Sequence, residues 1–276
     1  MRQVNSLLEL PGRLLLVCIL VYLGICLYVF FRQRAMLYHP EAVSEETMRG
    51  IARANGCSRW NDGSGNPLGW ATDAGDPANP VLILHGNAGH ALNRVSLIAK
   101  LREAGVTSKV YLTDYPGYGS SPGHPDEAGL TAAATAALDA LPFPPIVVGE
   151  SLGTGVAAQA AARLPEKIRG LVLITPFDSM TAAAALHYPW LPVSALLLDR
   201  FDSVKALAKF AGPVAILAAA NDETTPPRLG KRLYDSLSAT KKLWIVPNSD
   251  HNSAVFDLPV SEWRELWNFV SSKHQH

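Results

Sequence analysis

The most apolar stretch of the chain is 14–31, LLLVCILVYLGICLYVFF, which carries no charge and is flanked by Arg13, Arg32 and Arg34. As a helix its residues extend about 27 Å at ~1.5 Å each, near the ~30 Å of a bilayer's hydrocarbon core. One membrane-spanning helix is therefore predicted over 14–31, after an N-terminal flank at 1–13. A cleaved leader is the competing reading. It needs a small-residue cleavage site, which the following 28–34, YVFFRQR, lacks, and Ile25 is too bulky before Cys26 for a lipoprotein site. Arg2 and Arg13 nearly balance Arg32, Arg34 and Arg49, so charge sets no orientation.

Residues 32–56 read as a mixed connector, with 36–40 meeting the edge of a domain at 57–273. Asn, Asp, Gly, Ser and Pro cluster at 61–67, a hairpin signal, and 68–72 is the returning strand. Beyond it the pattern alternates. Short apolar runs at 81–84, 110–113 (closed by Thr113), 145–148, 171–174, 214–217 and 243–246 predict strands buried on both faces. Helices are predicted at 92–103, at 126–141 and behind the run at 145–148. Trp263, Leu266, Trp267 and Val270 stand at the spacing of a closing helix. Strands alternating with helices imply a mostly parallel central sheet flanked by helices. The long apolar interval 177–210 is a small insertion between the sixth and seventh strands: either a lid that receives an acyl chain or packing against the domain.

Formal net charge is zero and the pI is near 7.1, which argues against a nucleic-acid partner. The three cysteines, Cys18, Cys26 and Cys57, make neither a disulfide framework nor a metal set. Neither a phosphate-binding Gly-rich loop nor a His-x-x-x-His or Cys-x-x-Cys pair is present in the sequence, so neither metal nor cofactor is expected. The Ala-rich, Lys-poor composition suggests a GC-rich bacterial genome and, with the helix, a single-pass protein of the inner membrane.

The chemistry gathers at the C-terminal ends of the strands, where open α/β sheets place their sites. Gly149-Glu150-Ser151-Leu152-Gly153 follows a strand and precedes small residues that start a helix. This is the strand–turn–helix setting of a nucleophilic serine, with glycines where side chains would collide across the turn. A serine hydroxyl needs a base, and the base needs an orienting acid. His251 follows the last strand and Asp222 the one before it. Glu223 is the rival acid, but Asp222 leaves the strand first and is shorter. Asp250 adjoins the base and reads as a turn residue. For the developing oxyanion, the backbone N–H of Leu152 is one donor. The second comes from His85-Gly86-Asn87-Ala88-Gly89, with Asn87 preferred to Ala88. His85 reads as a structural hydrogen-bonder. Tyr118, Tyr188 and Trp190 are candidate substrate contacts.

On these residues, with Asp114-Tyr115-Pro116-Gly117-Tyr118-Gly119, Pro176-Phe177-Asp178-Ser179 and Asp199-Arg200-Phe201-Asp202-Ser203, the chain resembles the α/β-hydrolase superfamily of serine hydrolases. Within it, the chain is similar to the membrane-tethered branch that includes acyl-protein thioesterases. The resemblance implies an α/β-hydrolase fold and a triad of Ser151, Asp222 and His251. It leaves ester, thioester and amide open as the bond cleaved. Those thioesterases are held to membranes by a Cys-rich acylated N-terminus, so their substrate does not transfer to a chain with a spanning helix. The expected activity is hydrolysis of a small or lipid-like acyl ester or thioester through an acyl-enzyme. The alternatives are a peptidase or amidase on the same residues, and a non-catalytic tethered binding protein.

Overall fold

The computed structural model describes residues 2–272, with side chains from Pro11 onward. Eight strands form one sheet: β1 Cys57–Asn61, β2 Pro67–Thr72, β3 Asp76–Leu84, β4 Ser108–Thr113, β5 Ile146–Glu150, β6 Gly170–Ile174, β7 Val214–Ala219 and β8 Lys241–Val246. Their order is β8-β7-β6-β5-β3-β4-β2-β1. Only β2 is reversed: it pairs antiparallel with β1 and with β4, and every other pair in the sheet is parallel. Burial on both faces explains the apolar runs of the inner strands: Val81, Leu82, Ile83 and Leu84 are shielded from solvent, and alternate residues feed separate clusters. The run 243–246, expected to be buried likewise, lies in the edge strand β8, and its Ile245 is 54% exposed. The chain is an α/β-hydrolase fold, with helices covering both faces of a mostly parallel sheet.

The sheet grows outward from β3, with β4 on one side and β5 on the other. Successive connections therefore leave in opposite directions at the C-terminal ends of β3 and β5, and a crevice opens there. The loop after β3 carries Asn87, and the turn after β5 carries Ser151.

Two features differ from the sequence expectation. The helix predicted over 14–31 is Arg2–Leu37: it takes in most of the expected N-terminal flank and runs on without a break through Arg32, Gln33 and Arg34, which are good helix formers and two of which have partners on the fold. The expected connector, 32–56, is also largely structured. His39–Pro40 pairs in parallel with Ala88–Gly89. Glu45–Ala54 is a helix capped by Ser44, whose hydroxyl accepts from Thr47 N–H at 3.2 Å, and its Met48 and Ala52, four apart, are buried.

The insertion holds three short helices, Met180–His187, Val193–Leu196 and Ser203–Leu207. It is fastened by Asp199, which takes both Arg34 Nε at 3.0 Å and Arg34 Nη2 at 3.2 Å. Asp126 lies 3.3 Å from the same guanidinium. Gln33 is buried and clamps the loop beyond Val193–Leu196: its Nε2 donates to the Leu196 carbonyl at 3.1 Å and its Oε1 accepts from Leu198 N–H at 2.8 Å. The N-terminal helix is thus bound to the insertion by side chains that a purely lipid-facing helix would not need.

Candidate active site

Ser151 sits at the apex of the turn from β5 into the helix Leu152–Arg163, with φ 51° and ψ −116°. For a side-chain-bearing residue this conformation costs roughly 1–3 kcal/mol and is held by its surroundings. Its N–H donates to the Ile174 carbonyl at 2.9 Å. Gly153 packs so closely that a Cβ there would lie 2.0 Å from the Leu84 carbonyl oxygen, and one at Gly149 would lie 2.6 Å from that of Gly153. Close packing of β3, β5 and the helix start therefore lifts the serine side chain into the crevice.

Ser151 Oγ lies 2.9 Å from His251 Nε2. His251 Nδ1 lies 2.7 Å from Asp222 Oδ2, and because a carboxylate only accepts, the Nδ1–H tautomer is fixed. Nε2 is then free to accept the serine proton. Asp222 itself is fully enclosed. Its Oδ1 accepts from the N–H groups of Thr224 at 2.9 Å and Thr225 at 2.7 Å. Thr225 Oγ1 stands 3.0 Å from Asp222 Oδ2, 3.1 Å from His251 Nδ1 and 3.0 Å from the Thr175 carbonyl. Glu223 is exposed, and Asp250 closes a local turn by accepting from Asn252 and Ser253 N–H.

Leu152 is the first residue of its helix, where an N–H has no intrahelical acceptor. On the other wall, His85 Nδ1 donates to the Gly86 carbonyl at 2.8 Å. In a trans peptide the N–H points opposite the carbonyl, so this bond turns the Asn87 N–H away from the His85 ring. The Asn87 carbonyl is itself taken by His39 N–H at 2.9 Å and Tyr118 OH at 2.8 Å, and its side-chain amide donates to the Leu37 carbonyl at 3.2 Å. Burial, reinforced by the nearby Arg94 charge, pushes the His85 imidazolium down to about 3, so the ring is neutral at ordinary pH. Asn87, Ser151 and Leu152 all border a cavity of about 510 Å³, within the ~300–1,000 Å³ typical of ligand sites. Its walls are mainly apolar and include Phe177, Met180 and Leu191 from the insertion.

A sequence model of the alpha/beta hydrolase fold matches residues 79–210. An uncharacterised protein of Mycobacterium tuberculosis, Rv2307c, is 34% identical over 84% of this chain and 85% of that protein. The chain belongs to the α/β-hydrolase family. The lysophosphatidylserine lipase ABHD12 of Danio rerio is 31% identical over 67% of this chain and 54% of that protein. The chain thus spans about half the length of that relative. Among solved structures, the monoacylglycerol lipase of Paleococcus ferrophilus matches with a TM-score of 0.53 and 21% identity, over 70% of this chain and 97% of that one. Rv0554 of M. tuberculosis matches with a TM-score of 0.59 and 18% identity, over 79% and 98%. At these identities the structures speak for the fold alone.

Two of the three substrate contacts expected for this hydrolase lie elsewhere. Tyr118 is fully buried, with its ring against His85 and its hydroxyl on the Asn87 carbonyl, so it braces the loop from behind. Trp190 is 54% exposed and outside the cavity wall, and its carbonyl accepts from Tyr22. Tyr188 does line the cavity. Two features went unseen in the sequence. Thr225 lies three residues past Asp222, and side chains that meet through a loop leave no periodic signal. Val29, Gln33, Met36 and Leu37 also line the cavity. Their i, i+4, i+7, i+8 spacing marks one helix face, but uniform hydrophobicity hides which face is covered.

Proposed function

We propose that the chain is a membrane-anchored serine hydrolase that cleaves carboxylic ester or thioester bonds of lipid-like acyl compounds. The observation that carries this reading is the relay from Ser151 Oγ to His251 Nε2 at 2.9 Å and from His251 Nδ1 to Asp222 at 2.7 Å, beside an apolar cavity. Ser151 Oγ attacks the carbonyl carbon while its proton passes to His251 Nε2. The negative oxygen is received by the N–H groups of Leu152 and Asn87. His251 then protonates the departing alcohol or thiol, leaving an acyl-serine, and activates the water that releases the acid. Asp222 holds the imidazole in the Nδ1–H tautomer and stabilises the imidazolium. A lipase among the ABHD12 relatives supports a lipid-like substrate.

The anchor reading rests on Pro11–Leu37, the one span among the described residues that is long and apolar enough to cross a membrane; its most apolar 18-residue window has a mean hydropathy of 2.9 and is almost wholly exposed. A removable leader fits less well. Gln33 and Arg34 at the end of this helix hold the insertion in place, and their loss would open the cavity.

Labelling of the full chain with a fluorophosphonate, beside turnover of p-nitrophenyl esters and matched amides, tests the reading. We expect wild type to label and to turn over esters, and Ser151→Ala to lose at least ~10³-fold in kcat while remaining folded. A folded wild type that neither labels nor turns over would falsify it.

A further inference from the structure

The cavity beside Ser151 has a wall that does not come from the hydrolase fold. Val29, Gln33, Met36 and Leu37 border it from the N-terminal helix, and Met180, Tyr188 and Leu191 face it from the insertion. Val29 belongs to the uncharged stretch and Gln33 sits between Arg32 and Arg34, so with the helix across a bilayer the cavity would span the boundary between hydrocarbon and headgroups. The insertion also follows the helix further back: Tyr22 OH donates to the Trp190 carbonyl at 2.9 Å. Tyr22 precedes Phe31 by about 14 Å along a helix rising ~1.5 Å per residue. The Trp190 carbonyl is therefore tied to the middle of the apolar stretch, while Tyr188 and Leu191 face its end across the cavity. The surroundings of segment 188–191 suit hydrocarbon, because Leu186, Tyr188, Trp190 and Leu198 are large apolar side chains left exposed on the insertion.

Resting on the hydrolase reading above, we propose that the N-terminal helix is itself one wall of the acyl-binding cavity, and that the cavity takes the acyl chain of an ester resident in the same bilayer leaflet. The chain slides in between the helix and segment 188–191 and so does not cross water. The carbonyl reaches Ser151 at headgroup depth, while the polar part of the substrate stays on the domain side. Without the helix, the remaining walls would leave the cavity open along one side.

The test uses the full chain reconstituted in vesicles of ether-linked phosphatidylcholine, which offer no hydrolysable ester. It reads the ratio of kcat/KM for p-nitrophenyl palmitate dissolved in the vesicle to that for p-nitrophenyl butyrate. Val29→Trp and Met36→Trp put bulk into the cavity and should lower this ratio by at least about tenfold. Leu27→Trp puts the same bulk on an exposed part of the helix and should leave the ratio unchanged. If the cavity variants keep the wild-type ratio while Ser151 still labels with fluorophosphonate, the wall proposal is overturned and the hydrolase reading stands. An equal fall in all three variants also overturns it, since the effect then comes from the bilayer. If a tryptophan variant no longer labels, Met36→Ala decides: a preference moved to longer chains supports the proposal, and an unmoved one overturns it. A wild type that neither labels nor hydrolyses either ester removes both readings together.

Discussion

The hydroxyl of Tyr22, midway along the apolar helix, donates to the main-chain carbonyl of Trp190 at 2.9 Å. With Gln33 on the Leu196 carbonyl and Arg34 on Asp199, it ties the helix to the insertion. The Tyr22 contact is exposed on the protein surface; in hydrocarbon it would have no competing water partner and would be worth more than in a wet loop.

If the helix crosses a bilayer, Trp190 is within reach of lipid tails. Vesicles containing dibrominated phosphatidylcholine should quench the intrinsic fluorescence of the full chain, and Trp190→Phe should remove most of the quenchable component. Trp70, Trp244 and Trp263 are buried and should contribute little. Equal quenching in wild type and variant would place Trp190 outside the bilayer.

The Asp222–Thr225–His251 cluster gives a graded prediction. Asp222→Asn reverses the partner of His251 Nδ1 from acceptor toward donor and should lower kcat by about 10³–10⁴-fold, as tautomer loss does in serine triads. Thr225→Val removes one hydroxyl near both groups but keeps its N–H bond to Asp222 Oδ1. One hydrogen bond is worth about 0.5–1.5 kcal/mol, so kcat should fall by roughly 3–10-fold with little change in KM. Steady-state kinetics on both variants checks the order. A fall in KM-controlled binding alone would assign Thr225 to the substrate rather than to the base.

The turn that presents Ser151 depends on close backbone approach. Gly153→Ala forces a Cβ to within 2.0 Å of the Leu84 carbonyl oxygen. The backbone on both sides is fixed by the sheet, so overpacking should cost about 3 kcal/mol or prevent folding. Gly50, in the helix Glu45–Ala54, has open space around its Cβ position, and Gly50→Ala should stabilise by about 0.5–1 kcal/mol. Urea unfolding of the two variants measures the contrast.

His85 predicts a pH dependence of stability. The unfolded chain takes up a proton on His85 near pH 6.5, whereas burial holds the folded side chain neutral down to about 3. Its contribution to stability is therefore complete above pH 6.5 and is lost as pH falls toward 3, at about 1.4 kcal/mol per pH unit. Burial also lifts the Asp114 carboxyl to about 6, against the pull of Arg59, so Asp114 opposes this slope between about 4 and 6. Measured between pH 4 and 6.5, the His85→Asn variant should lose about one proton's worth of acid destabilisation relative to wild type. An unchanged slope would mean that the folded protein already binds that proton.

The sheet, its flanking helices and the place of the insertion were legible in the chain because strands buried on both faces must be apolar throughout. Turns between them concentrate glycine, proline and short polar residues. The local setting of Ser151 was legible for a related reason: a tight strand-to-helix turn demands glycines at fixed offsets. The tertiary structure alone decided which side of the N-terminal helix is covered. A uniformly apolar helix looks the same to lipid as to an apolar protein surface, and only the Tyr22 hydroxyl within the stretch and the polar side chains of Gln33 and Arg34 just beyond it meet the insertion. It likewise decided that Tyr118 supports Asn87 from behind, that Trp190 turns outward and that Thr225 meets His251. Such contacts join residues far apart in the chain through loop geometry, which has no period for a sequence to display.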